Sequence, residues 1–291
     1  MTASLLFNSE CIIGEGAFWH KERNSYFWVD IESRLLYEYN CQRREVKSWR
    51  MPFRVSLILQ DETGDIFLCL QGGLAKINLN NGSLQWLLDI EKNISGNRTN
   101  DGGCDKEGRL WVGTMDLNGA KGAGSLYAIS KGGQLNKKLN NLSIPNGLVW
   151  SPDNKYMYHV DSSSHIIKSY FFNADSSEIT FAKIIIQIPE NMGVPDGMAI
   201  DVEGMLWIAH WGGSCISRWD PFTGRLINTV PLPAPNVSSC AFVGEQLDQL
   251  LVTTARQNLS QEDLMKYPMS GHVFIINDPG VRGVKLNRMK I

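Results

Sequence analysis

The chain has 291 residues, with 28 Lys and Arg against 30 Asp and Glu, and its formal charge of −2 gives it no electrostatic hold on nucleic acid. Hydrophobic residues make up 43% of it, with 27 Gly and 9 Trp, and no apolar run approaches the roughly 18 residues of a membrane span, so no membrane crossing is expected. Length alone would allow two domains, but a repeat running from end to end predicts a single closed domain over residues 1–291.

The opening stretch Met1 to Asn8 has no basic region, and its apolar part is too short for a signal peptide, so a mature cytoplasmic protein is expected. The first repeat sets Gly14-Glu15-Gly16 before the apolar run Tyr26-Phe27-Trp28-Val29. In the second, Ser56 precedes the run that starts at Ile66; in the third, Asn100-Asp101-Gly102 precedes Leu110-Trp111-Val112. The fourth sets Pro145-Asn146-Gly147-Leu148 before Tyr156-Met157-Tyr158, and the fifth Pro195-Asp196-Gly197-Met198 before Leu206-Trp207-Ile208-Ala209. The sixth offers Ser239 or Cys240 before Leu250-Leu251-Val252. Runs starting at 26, 66, 110, 156, 206 and 250 are 40, 44, 46, 50 and 44 residues apart, the period of propeller blades.

Each repeat reads as an inner strand, a turn and two or three outer strands, punctuated by Asn80-Asn81-Gly82, Lys131-Gly132-Gly133, Ser151-Pro152-Asp153-Asn154 and Asp220-Pro221-Phe222-Thr223-Gly224. The predicted fold is all-β, a six-bladed β-propeller with a metal site at one mouth of the central channel. The six Cys lack Cys-x-x-Cys spacing, which argues for reduced thiols over disulfides or zinc. The five His lack a His-x-x-x-His pair and read as structural, with His210 beside Trp211 the one expected to edge a pocket.

The shared phase turns sequence into space. Taking each run's first residue minus ten, 66, 110, 156 and 206 give Ser56, Asn100, Asn146 and Asp196; Glu15 lies eleven before Tyr26. In a propeller these residues, with Ser239, ring one mouth of the channel. Any one Asn-Gly or Asp-Gly is an ordinary turn dipeptide. Two carboxylates and two amide oxygens at one phase instead suit a hard divalent cation such as Ca²⁺, Mg²⁺ or Mn²⁺.

Gly14-Glu15-Gly16-Ala17-Phe18-Trp19, Arg98-Thr99-Asn100-Asp101-Gly102, Gly113-Thr114-Met115, Gly124-Ser125-Leu126-Tyr127, Asn146-Gly147-Leu148-Val149-Trp150-Ser151 and Pro195-Asp196-Gly197-Met198 together resemble the regucalcin (senescence marker protein), gluconolactonase and luciferin-regenerating enzyme family. Ser238-Ser239-Cys240-Ala241-Phe242 and Val252-Thr253-Thr254-Ala255-Arg256 are similar to it as well. The resemblance implies one divalent metal, with Zn²⁺ joining the candidates, and hydrolysis of sugar lactones to aldonic acids. It places Glu15, Asn146 and Asp196 as metal ligands, and Arg98 and Asn100 as residues that contact the sugar or complete the metal shell.

Two departures stand out. Ala17 replaces a proline of many members, and the loop Asp116 to Gly124 is shorter than in animal members, with Asn118 where they carry a substrate-contacting glutamate. Asp116 is then the candidate to replace that contact. In the implied chemistry the cation polarises the lactone carbonyl and Asp196 is the base that deprotonates the attacking water. No Gly-x-Ser-x-Gly elbow points to a serine esterase. A calcium-binding or interaction propeller without activity is the competing reading, and a metal-dependent hydrolase of a non-sugar lactone or ester is a third. The expected partner is a small sugar lactone, with no obligatory protein partner.

Overall fold

A computed structural model describes residues 1–290. Apart from three 3-10 turns and the α-helix Gln261–Lys266, the regular structure of the described residues is strand. Runs such as Tyr26-Phe27-Trp28-Val29 are aromatic and β-branched and are cut by Gly, Asn or Asp turns, which leaves no length for a helical stripe. Four sheets have four antiparallel strands each. They are Gly14–His20, Ser25–Asp30, Leu35–Asn40 and Glu45–Arg50; Val55–Gln60, Ile66–Leu70, Gly73–Ile77 and Leu84–Asp89; Asn97–Cys104, Leu110–Asp116, Gly124–Ile129 and Leu135–Leu142; and Pro145–Trp150, Tyr156–Asp161, Ile166–Phe172 and Ile179–Gln187.

A fifth sheet has eight strands in two groups. One is Val194–Ile200, Leu206–Trp211, Cys215–Trp219 and Leu226–Pro231; the other is Asn236–Val243, Gln249–Ala255, Val273–Ile276 and the N-terminal strand Ala3–Phe7. A single pair, Trp211 with Asn236, ties the second strand of one group to the first of the other. Ala3–Phe7 pairs with Val273–Ile276, so the start of the chain is sewn to a strand near its end. The first strand of each group packs on the first strand of the next, and Asn236–Val243 packs back on Gly14–His20. The result is an all-β fold consistent with a β-propeller.

The core lies between the groups because successive strand side chains point to opposite faces. Trp207 packs toward Phe242 and Val252, whereas its neighbour Ile208 packs toward Tyr158 and Val160. All six cysteines are free. No described helix is long and apolar enough to cross a membrane.

The turn after the first strand repeats a device. Asp201 Oδ1 accepts the backbone N–H groups of Glu203 (2.9 Å) and Met205 (3.0 Å), while Oδ2 accepts Trp207 Nε1 (2.9 Å) and Arg218 Nε (2.8 Å). Asp105 does the same for Glu107, Arg109 and Trp111. Both aspartates have no exposed surface. Asp201→Ala leaves the Trp207 N–H and one edge of Arg218 without this partner while Arg218 keeps Glu203, and is expected to lower stability by about 1–3 kcal/mol. Chemical denaturation checks this; an unchanged midpoint would show that the carboxylate only fills space.

Candidate metal and substrate site

Every first strand breaks register near its start, between Glu15 and Phe18, Val55 and Leu57, Thr99 and Gly102, Asn146 and Leu148, Pro195 and Met198, and Val237 and Ser239. Such bulges bend the strand and re-aim a side chain. Here they carry the equivalent polar positions around one ring. The glycines that follow are required by crowding: a Cβ on Gly147 would lie 2.8 Å from the Asp196 carbonyl oxygen, and one on Gly197 would lie 2.9 Å from that of Ser238.

Side-chain hydrogen bonds link the ring from group to group. Ser56 Oγ donates to the Asn100 carbonyl (2.8 Å), Asn100 Nδ2 donates to the Pro145 carbonyl (2.9 Å), Asn146 Nδ2 donates to Asp196 Oδ1, and Ser238 Oγ donates to the Gly14 carbonyl (2.5 Å). Asn146 Nδ2 also donates to Ser162 Oγ (3.2 Å). Its NH₂ group is committed to Asp196 and Ser162, and its carbonyl oxygen accepts the Gly147 backbone N–H (3.3 Å), which leaves that oxygen one lone pair for another partner. Arg98 Nη1 donates to Asn100 Oδ1 (2.6 Å) and to the Thr99 carbonyl (2.9 Å), which fixes one edge of its guanidinium. Asn100 is therefore the residue that holds Arg98 in place.

Three carboxylates and one guanidinium feel one another here. Burial first, then the charges of Glu15 and Asp101, pushes the Asp196 carboxyl well above its ordinary range. Burial and Asp101 raise Glu15 to about 8, against the opposing pull of Gly16 N–H and Arg98. Burial raises Asp101 to about 6 and lowers Arg98 to about 10. Glu15 and Asp101 keep some accessible surface, and Asp101 lines a cavity among the first strands. Asp101 was missed in the sequence because its Asp-Gly step reads as a turn; the signal available was its place immediately after Asn100 in a repeat that already carried the phase.

The donor set fits a hard divalent cation. It is made of oxygen alone, and the three carboxylates face a single Arg. One oxygen each of Glu15, Asp101 and Asp196 receives no hydrogen bond among the described residues. No cluster of three or more His, Cys, Asp or Glu at metal-binding distance occurs among the described residues, so a site built on Glu15 and Asp196 would draw its remaining ligands from other oxygens, of which the Asn146 carbonyl is one. Glu15 titrates near 8 in the cation-free fold against about 4.3 in an unfolded chain. The unfolded chain gives up that proton first, so cation-free protein should lose stability as pH rises from about 5 to 8. Calorimetric melting in chelator checks this: the melting temperature should fall across that window, and added Ca²⁺ should stabilise the protein most at its upper end. A flat profile would remove Glu15 from the buried cluster.

The other expected residues divide. Ser56 bonds to Thr99 Oγ1 (2.9 Å) as well as to Asn100, so it locks neighbouring strands together. Ser239 lines the cavity instead. Asp116 ends its strand opposite Asn97, one residue from Arg98, and its Oδ1 caps the following loop by accepting the backbone N–H of Asn118 (2.8 Å) and Ala120 (3.1 Å). His210 edges no pocket: it has no exposed surface, and its Nε2 lies 2.5 Å from Ser217 Oγ. The cavity, of about 150 Å³, is lined by residues of all six first strands and by Val284 to Asn287. Asp101 is its only carboxylate and most of its wall is apolar, so the polar ring is where chemistry can occur.

Residues 13–256 match the model of the SMP-30/Gluconolactonase/LRE-like region. Regucalcin of Oryctolagus cuniculus is 32% identical over 279 residues, covering 94% of this chain and 93% of that one. YvrE of Bacillus subtilis (strain 168), whose name proposes a sugar lactone lactonase, is 31% identical over 274 residues and 94% of each chain. The crystal structure of regucalcin from Agrobacterium tumefaciens, described as a calcium-binding protein, superposes with a TM-score of 0.94 at 27% identity over 99% of this chain and 97% of that one. On the family match and on relatives above 30% identity along 94% of its length, this chain belongs to the SMP-30/gluconolactonase/LRE-like family.

Proposed function

We propose that the protein is a six-bladed propeller acting as a divalent-metal-dependent lactonase that opens a gluconolactone-like sugar lactone to its aldonic acid. The observation that carries this is a buried group in which the Glu15 and Asp196 carboxyls feel each other's charge, Asn146 is hydrogen-bonded to Asp196, and Arg98 is held fixed beside them. A calcium-binding scaffold without activity has no need of a guanidinium aimed by Asn100. The cyclic packing of the six first strands supports the blade count, and the lactonase named among the relatives supports the reaction.

Glu15, Asn146 and Asp196 would hold the cation, which supplies Lewis acidity toward the lactone carbonyl. Arg98 donates from its unused nitrogens to substrate oxygens. Asp196, raised by burial, accepts the proton of the attacking water and returns it to the ring oxygen as the C–O bond breaks. We further propose Ca²⁺, Mg²⁺, Mn²⁺ or Zn²⁺ as the ion, Asp116 as a contact for the substrate, and a reducing, cytoplasmic setting, which six free thiols support.

A panel of aldonolactones, non-sugar lactones and simple esters, assayed by acid release at fixed pH, tests the substrate class. Aldonolactones should be hydrolysed fastest. In the same assay Arg98→Ala should lose about 1.5–3 kcal/mol in kcat/KM, the worth of hydrogen bonds from a charged group, with its cation content unchanged. Faster turnover of simple esters would overturn the sugar-lactone reading, and normal kinetics for Arg98→Ala would remove that residue from the site.

A further inference from the structure

A second arginine occupies the phase of Arg98. Arg98 lies two residues before Asn100, and Arg54 lies two residues before Ser56, its equivalent in the neighbouring repeat. Arg54 directly precedes the strand Val55–Gln60, and Arg98 is the second residue of Asn97–Cys104, so the two stand at the same end of neighbouring first strands. Unlike Arg98, it is paired: Nε donates to Glu32 Oε1 (2.8 Å) and Nη2 to Glu32 Oε2 (2.9 Å), while Nη1 reaches Gln71 Oε1 (3.3 Å). Glu32 comes from the turn just after Asp30, whose strand pairs with the Glu15 strand at Gly14. The pair is neither core nor open surface, with the two side chains 33% and 26% exposed. Its charges also reach the site, since Arg98 feels both Glu32 and Arg54, and Arg98 helps Arg54 hold the Glu32 carboxyl below its ordinary range.

A fork-to-fork pair fixes both groups while sparing capacity. Each Glu32 oxygen keeps a lone pair, and Arg54 keeps N–H groups on Nη1 and Nη2. The pair thus holds an acceptor beside donors in fixed geometry, at the end of the first strands where Arg98 lies, and this suits adjacent hydroxyl groups. A hydroxyl both donates and accepts, so it can bridge a carboxylate and a guanidinium. Bare hydrocarbon gains nothing from either group.

We propose that Glu32 and Arg54 form a hydroxyl-recognising subsite that selects polyhydroxylated lactones, with Glu32 the acceptor of substrate hydroxyls and Arg54 the residue that orients it. The inference takes its substrate class from the lactonase reading. The test compares wild type, Glu32→Ala and Arg54→Lys on δ-gluconolactone and on δ-valerolactone, which has the ring ester without hydroxyls. Glu32→Ala should raise KM about tenfold for gluconolactone with kcat little changed, and should leave valerolactone kinetics as in wild type. Arg54→Lys keeps the charge and loses the fork, so its KM should rise less.

Calorimetric binding of a cyclic polyol in which a methylene replaces the lactone carbonyl gives a readout that needs no hydrolysis. Wild type should bind it about tenfold more tightly than Glu32→Ala even if neither lactone is turned over, which would leave the subsite standing while the lactonase reading fell. Equal polyol binding by the two proteins, no binding by wild type, or equal KM shifts on both lactones would overturn the subsite.

Discussion

Asp196→Asn is expected to take up a divalent cation more weakly and to hydrolyse aldonolactones about 10²–10⁴-fold more slowly even when the cation is saturating, the usual worth of a general base. Asparagine keeps a carbonyl oxygen that can ligate but cannot accept a proton at neutral pH. The structure sharpens this expectation. Asp196 Oδ1 is engaged by Asn146 Nδ2, whereas Oδ2 receives no hydrogen bond among the described residues and has lone pairs for both a cation and a water. Glu15 has one oxygen tied to Gly16 N–H (3.1 Å) and lies in the same cluster. Rates measured across a cation titration decide the matter. Near-complete rescue at high cation would make Asp196 a ligand only and leave the base as Glu15 or as a cation-activated hydroxide acting without protein help.

Much of this site was legible in the chain because a strand repeat converts phase into position. Glu15, Asn100, Asn146 and Asp196 were reachable by subtraction alone, and the structure brings them into one charged and hydrogen-bonded neighbourhood. Phase could not say which way each polar group turns. Ser56 shares the phase but spends its hydroxyl on Thr99 and Asn100, because a short side chain at a bulge reaches the neighbouring backbone first. Asn100 is expected as a ligand or substrate contact, and in the fold its Oδ1 accepts from Arg98 while its Nδ2 donates to the Pro145 carbonyl. The role of Asp101 depends on burial, which a turn dipeptide does not report.

The fold was legible for the same reason and to the same limit. Apolar runs about 40 to 50 residues apart fixed the period, but the pairing of Ala3–Phe7 with Val273–Ile276 joins segments with no local signal between them. The hydrogen bond from Trp111 Nε1 to Asp105, across the turn at Lys106-Glu107-Gly108, was likewise hidden. His210 failed as a pocket residue because its strand, Leu206–Trp211, lies beneath neighbouring groups along most of its length.

The most direct test of the central claim is the aldonolactonase rate of protein stripped of divalent cations by exhaustive chelation, then titrated with Ca²⁺, Mg²⁺, Mn²⁺ or Zn²⁺ separately. Neutral water is a poor nucleophile toward an unactivated ring ester, and in this ring only Arg98 supplies positive charge. The rate should fall to the uncatalysed background on stripping and return with at least one cation at one equivalent per chain, the same stoichiometry appearing in direct binding. Full activity in protein verified to be free of metal would contradict the account.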